Sequence, residues 1–98
     1  MLAKKHELEY QTILAICDKE HLNKTYEEGN ISFTVSEKFF GGTKVSEKKL
    51  KELFKNSNSI NLFGNKCVEI AQKEGLITES SVIKIQGIKH AQIYGIQQ

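Results

Sequence analysis

The stretch SEKKLKELFKNSNSINLFGNKCVEIAQKEG, residues 46–75, decides the fold. Ser46 is a good N-cap, because its hydroxyl can accept from the free backbone N–H groups of a first helical turn. Leu50, Leu53 and Phe54 follow at i, i+3 and i+4 and make one apolar stripe. Lys48, Lys49, Lys51 and Lys55 take much of the remaining surface, diluted by Glu47 and Glu52. Asn56-Ser57-Asn58-Ser59 breaks this helix. A second helix is expected to begin near Asn61 or Gly64: Ile60, Phe63, Cys67, Ile70 and Ala71 share a helical face, and Gly75 is a C-terminal stop with Leu76 behind it. The middle of the chain therefore reads as two consecutive helices.

Both flanks read as strands. Gln11 to Cys17 is β-branched and apolar with charge on either side, the pattern of a largely buried strand, and Leu2 to His6 can pair with it through a turn at Glu7 to Tyr10. Asp18 to Asn30 is polar. Leu22 and Tyr26 lie four apart there, which suggests a helical turn with Asp18 as its N-cap. Glu28-Gly29-Asn30 is a turn signal, and Ile31 to Ser36 alternates with Ile31, Phe33 and Val35 facing the core. After the helices, Val82 to Ile85 and Ile88 to Ile96 read as two strands hinged at Gly87, with Gln86-Gly87 between them making either a hairpin or a bulge in a single strand. Strands at both ends and helices between them predict α+β: one mainly antiparallel sheet with two central helices packed on one face.

Composition sets the outer limits. Ninety-eight residues suit a single globular domain over residues 1–98. The charged fraction of 27% and the apolar fraction of 39% are those of an ordered globule. All 14 basic residues are Lys, against one Asp and eleven Glu, so the net charge is only +2. That excludes a protein holding nucleic acid by bulk charge, but not a local basic face. No apolar run approaches the roughly 20 residues of a membrane span, and Met1 to Glu7 lacks the apolar core of a signal peptide. The expected setting is the cytoplasm, with Cys17 and Cys67 as reduced thiols and no membrane partner.

Three stretches carry a likeness: Cys17-Asp18-Lys19-Glu20-His21-Leu22-Asn23-Lys24-Thr25-Tyr26-Glu27-Glu28-Gly29; Phe39-Phe40-Gly41-Gly42; and Asn61-Leu62-Phe63-Gly64 leading to Gly87-Ile88-Lys89-His90-Ala91-Gln92. Together they resemble the archaeal family catalogued as domain of unknown function 424, over nearly the whole chain. Two departures stand out. The family's Leu-Gly-Lys is Leu22-Asn23-Lys24 here, and its Val-Pro-His-Ala-Gln is Ile88-Lys89-His90-Ala91-Gln92. The resemblance implies an archaeal cytosolic setting and work near translation or RNA.

Several constellations compete for a functional role. Asn61-Leu62-Phe63-Gly64-Asn65-Lys66 stands at the expected helix start, where free N–H groups and the dipole favour a phosphate. Lys38, Phe40, Gly41, Gly42 and Lys44 mix an aromatic, glycines and cations, a set suited to stacking on a base beside its phosphates. Lys48, Lys49, Lys51 and Lys55 would meet backbone phosphates without reading sequence. His90 and Gln92 point the same way if their segment is a strand. These residues make the expected partner RNA or a ribonucleoprotein, met by a non-enzymatic, ribosome-associated module. Two alternatives stand beside it. One is a small ligand-binding protein or enzyme in which Cys17, Asp18 and His90 converge. The other is a protein–protein adaptor using an exposed edge strand. No paired ligand spacing of a zinc site and no nucleotide-binding or hydrolase motif is present, so no metal, cofactor or catalytic residue is assigned.

Overall fold

A computed structural model describes residues 1–94. Strands β1 (Leu2–Glu7) and β2 (Thr12–Cys17) pair antiparallel, Leu2 opposite Cys17 and Glu7 opposite Thr12. A 3-10 turn at Lys19–His21 leads into a separate hairpin, β3 (Thr25–Glu28) and β4 (Ile31–Thr34). The short helix α1 (Glu37–Phe40) and the two-residue β5 (Thr43–Lys44) precede α2 (Glu47–Lys55). Then come β6 (Ser59–Phe63), α3 (Asn65–Lys73), β7 (Ile83–Ile85) and β8 (Ile88–Ile93). The main sheet runs β5-β1-β2-β6-β8-β7. Every neighbouring pair in it is antiparallel except β2–β6, so the fold is α+β as its sequence suggests.

Strand β6 corrects the expected helix start near Asn61 and the placing of Ile60 and Phe63 on a helical face, whereas the other expected start, Gly64, is the N-cap of α3. Asn61, Leu62 and Phe63 lie in mid-sheet, and α3 begins only at Asn65. Ile60, Phe63 and Cys67 fit a helical period by coincidence. A central strand buried on both faces loses the polar–apolar alternation that would have marked it. Its parallel partnership with β2 needs a crossover, and the chain through α1, β5 and α2 supplies it. Tyr26 is a second correction: it sits in β3, not on a helix with Leu22.

Period two divides the sheet cleanly. Leu14, Ile16, Ile60, Leu62 and Ala91 meet Leu50 and Phe54 of α2 and Cys67, Val68, Ile70 and Ala71 of α3. The two long helices therefore share one face, as expected. On the opposite face Ala15, Cys17, Phe63 and Ile85 meet Val35 and Phe40, with Leu22, Tyr26, Phe33 and Phe39 leaning in from the hairpin and α1. Phe33 stacks on Phe63 with ring centroids 4.8 Å apart and planes within 6°. Of the three residues expected to face this core, Val35 is buried and Phe33 half-buried, but Ile31 is exposed.

Two turns explain local sequence choices. Asn23, where the resembled family has Gly, adopts φ 67°, a left-handed conformation that Asn tolerates better than most residues. Its N–H donates to the Val35 carbonyl at 2.7 Å, so the departure keeps the turn. Gln86 and Gly87 carry φ of 53° and 77°, the two positive values a type I′ hairpin requires. The expected continuation of the last strand to Ile96 lies partly outside the described residues.

Candidate functional site

Asp18 closes the N-terminus of α3. Its Oδ2 accepts from the Lys66 N–H at 2.9 Å and its Oδ1 from the Cys67 N–H at 3.1 Å. The Gly64 N–H donates to the Lys89 carbonyl at 2.9 Å, and Asn65 Oδ1 accepts from the Lys89 N–H at 2.8 Å. The phosphate cradle expected from Asn61, Gly64, Asn65 and Lys66 is thus already filled by the protein's own carboxylate, and Asn61 belongs to a strand instead. The helix dipole and two backbone donors find their anion in Asp18, which is itself buried.

The trio Cys17, Asp18 and His90 does not converge. Cys17 is fully buried, and burial, with the Asp18 charge second, pushes its thiol up to about 11. Its strand neighbour is Phe63, whose own neighbour on the far side is His90, so an aromatic ring separates thiol from imidazole. His90 is buried against Phe33 and Phe63, and burial lowers its pKa. Its Nδ1 lies 2.8 Å from the Leu62 carbonyl, which can only accept, so Nδ1 carries the proton. Asp18, Glu20 and His21 place one ligand atom each within 4.8 Å of one another. Yet both Asp18 oxygens serve α3, and His21 Nδ1 is bonded to the Tyr26 hydroxyl at 2.6 Å.

Phe40 is buried and cannot stack on a base, a correction to its assignment as a contact. Its neighbour Phe39 is the half-exposed ring, stacked on His6 at 4.8 Å and 13°. Gly41 and Gly42 serve packing: an added Cβ would lie 2.5 Å from the Glu37 carbonyl oxygen at the first and 2.0 Å from the Ala3 carbonyl oxygen at the second. Neither has positive φ, so close approach, not turn geometry, is what they provide.

The predicted lysines do not form one patch with His90 and Gln92. Helix α2 covers the sheet face opposite to theirs, and two of its cations are shared with carboxylates: Lys51 with Glu47 and Glu74, and Lys49 with Glu52. What joins the faces is the β5–β1 edge. Lys4 Nζ donates to the Lys38 carbonyl at 2.8 Å on one side. On the other, Lys5, Lys44 and Lys49 rim a groove of about 310 Å³ floored by Ala3, Leu14 and Leu53. Lys4 and Lys5 escaped sequence reading because two lysines on a short edge strand look like ordinary edge protection.

Beside this edge, on the face of Phe39, lies a cleft of about 270 Å³. Gln11, Ser59, Asn61, Gln92 and Tyr94 line it around Phe39. Register assembles it, setting Ile13 opposite Ser59 and Asn61 opposite Gln92. The Gln92 Oε1 accepts from the Tyr94 hydroxyl, and the Gln11 Oε1 from the Ser59 hydroxyl. Asn61 Oδ1 is buried without a hydrogen-bond partner, the single such side-chain atom among the described residues. Leaving such an acceptor unpaired costs roughly 1–3 kcal/mol.

No curated protein matches the sequence. Among solved structures, the fold is similar to an uncharacterized conserved protein from Methanopyrus kandleri, with a TM-score of 0.81 and 23% identity over 99% of this chain and 92% of that one. This likeness is one of fold. A family model described as protein of unknown function (DUF424) matches residues 6–96, nearly the whole chain, and the protein belongs to that family.

Proposed function

We propose that this protein is a non-enzymatic module that binds single-stranded RNA or a ribonucleoprotein, with association to the ribosome as the setting. The observation that carries this reading is the band of Lys4, Lys5, Lys38, Lys44 and Lys49 around the β5–β1 edge, running from the half-exposed Phe39 to the α2 groove, in which Lys5 and Lys49 would exchange their exposed carboxylate partners, Glu7 and Glu52, for phosphates. A backbone following that band meets cations on both sheet faces while one base reaches the aromatic side. Lacking arginine, the chain meets phosphates through point charges, and its amides carry any base recognition. The protonated, buried Cys17 thiol offers no nucleophile to favour the enzymatic alternative.

The test is binding of fluorescent single-stranded RNA across a salt series, with co-sedimentation on ribosomes as a second readout. Five phosphate contacts imply a slope of log affinity against log salt of about −3.5, since each contact on a single strand contributes about −0.7. Reversing Lys38 and Lys44 to Glu should remove about two contacts from that slope. Absence of binding, or affinity independent of salt, would overturn the proposal.

A further inference from the structure

We infer that the cleft at Gln11, Ser59, Asn61 and Gln92 admits one unstacked nucleobase and favours the imide edge of uracil. The inference rests on the RNA reading above and adds a base identity to it.

The argument is an inventory of donors and acceptors. Asn61 Oδ1 is buried and has no donor, so a complementary ligand must bring an N–H to it. The carbonyl oxygens of Gln92 and Gln11 are engaged by the Tyr94 and Ser59 hydroxyls. Each of these oxygens keeps one lone pair turned from its hydroxyl partner, while both glutamines offer amide N–H₂ donors and Asn61 adds its own Nδ2. One deep acceptor among several donors complements a ligand edge that reads acceptor, donor, acceptor. Uracil presents that edge as O4, N3–H and O2. Cytosine offers a bare N3 lone pair at its centre, which would face the Asn61 oxygen without a proton between them. Adenine also has a lone pair, on N1, at that point and offers its N–H only from the exocyclic amine. Phe39, held flat against His6 at 4.8 Å, gives the base a ring wall, and Tyr94 stands exposed at the rim. The cleft volume of about 270 Å³ leaves room for one pyrimidine.

The experiment compares hexamers of uridine, cytidine and adenosine, and free uridine monophosphate, on the whole chain. A correctly matched amide–base pair discriminates by about tenfold or more, so the uridine hexamer should bind at least about tenfold tighter than the other two. Asn61→Leu, which fills the position without polar atoms, should abolish the preference while leaving the salt-dependent component. Its fold is checked by circular dichroism, and Gln92→Leu on the outer side of the cleft gives a second variant with the same expectation. Binding of all three hexamers with equal affinity, or a preference kept by both variants, would overturn the uracil assignment and leave the RNA reading standing. No binding of any hexamer would overturn both. Free uridine monophosphate binding as tightly as the hexamer would also overturn the inference as drawn, because the lysine band would then contribute nothing.

Discussion

Asp18 and Gly64 give the sharpest test of how the sheet meets α3. The Asp18 carboxylate satisfies the backbone donors of Lys66 and Cys67 in a buried setting. Asp18→Ala leaves both N–H groups unpaired, the second at a fully buried residue. Loss of an N-cap costs up to about 2 kcal/mol, and charge-assisted bonds are worth more than neutral ones, so a destabilisation of about 2–3 kcal/mol is expected. For a domain of this size that lowers the midpoint of thermal unfolding by roughly 10–20 °C. Asp18→Asn keeps one acceptor and should cost about half as much. Gly64 is the complementary half. Its φ is 131°, and an added Cβ would lie 2.3 Å from the Asp18 Cγ. Gly64→Ala therefore carries backbone strain of about 1–3 kcal/mol together with a steric conflict. Asp18→Ala removes the two closest atoms, Cγ and Oδ2, and relieves most of the conflict, leaving the strain and a residual Cβ–Cβ approach of 2.7 Å. In a double-mutant cycle read by urea unfolding, Gly64→Ala should cost at least about 1 kcal/mol less in the Asp18→Ala background. A cost below about 0.5 kcal/mol for Asp18→Ala, or equal costs of Gly64→Ala in both backgrounds, would refute the assignment of Asp18 as the structural anion of α3.

Two further outcomes follow from buried groups. His90 has a folded pKa below its ordinary value of 6.5, so the unfolded chain binds its proton first as pH falls. Its contribution to stability is complete above pH 6.5 and shrinks as pH drops from there to the lowered folded value; urea midpoints across pH 5–8 should show this slope, and His90→Gln should flatten it. Cys17 and Cys67 both have thiols raised by burial, so in native buffer at pH 8 a chromogenic disulfide reagent should label them at the rate of unfolding, and immediate labelling of either would contradict the packing around β2 and α3.

The local elements were largely legible. The apolar run of β2, the stripe Leu50, Leu53, Phe54 of α2 and the Gln86-Gly87 turn each follow from the residues involved. Strand β6 was not, because burial on both faces removes the period-two signal and leaves an accidental helical one. That single segment also hid the site. Asn61 was singled out at an expected helix start and Gln92 beside His90 on a strand, but only the β6–β8 register places Asn61 and Gln92 opposite one another. The lysine band has the same origin. Lys4, Lys5, Lys38, Lys44 and Lys49 come from four elements, and the sheet order that gathers them is a property of long-range pairing. Asp18 was read correctly as a cap, but of the turn that follows it instead of a helix 48 residues away.

The one parallel ladder, β2 on β6, has a consequence for assembly. The sheet consists of an amino-terminal half, β5-β1-β2, and a carboxy-terminal half, β6-β8-β7, and among the described residues the only strand pairing between the halves runs along that ladder. Each half contains a tight hairpin that can form within microseconds from neighbouring residues. The seam must instead wait for the chain between Cys17 and Ser59 to close, an entropic cost met before its contacts reward it. Folding speed should therefore be governed by the seam residues Leu14, Ile16, Ile60 and Leu62, whose truncation slows folding, and changes within the hairpins that form before the seam closes should slow it too.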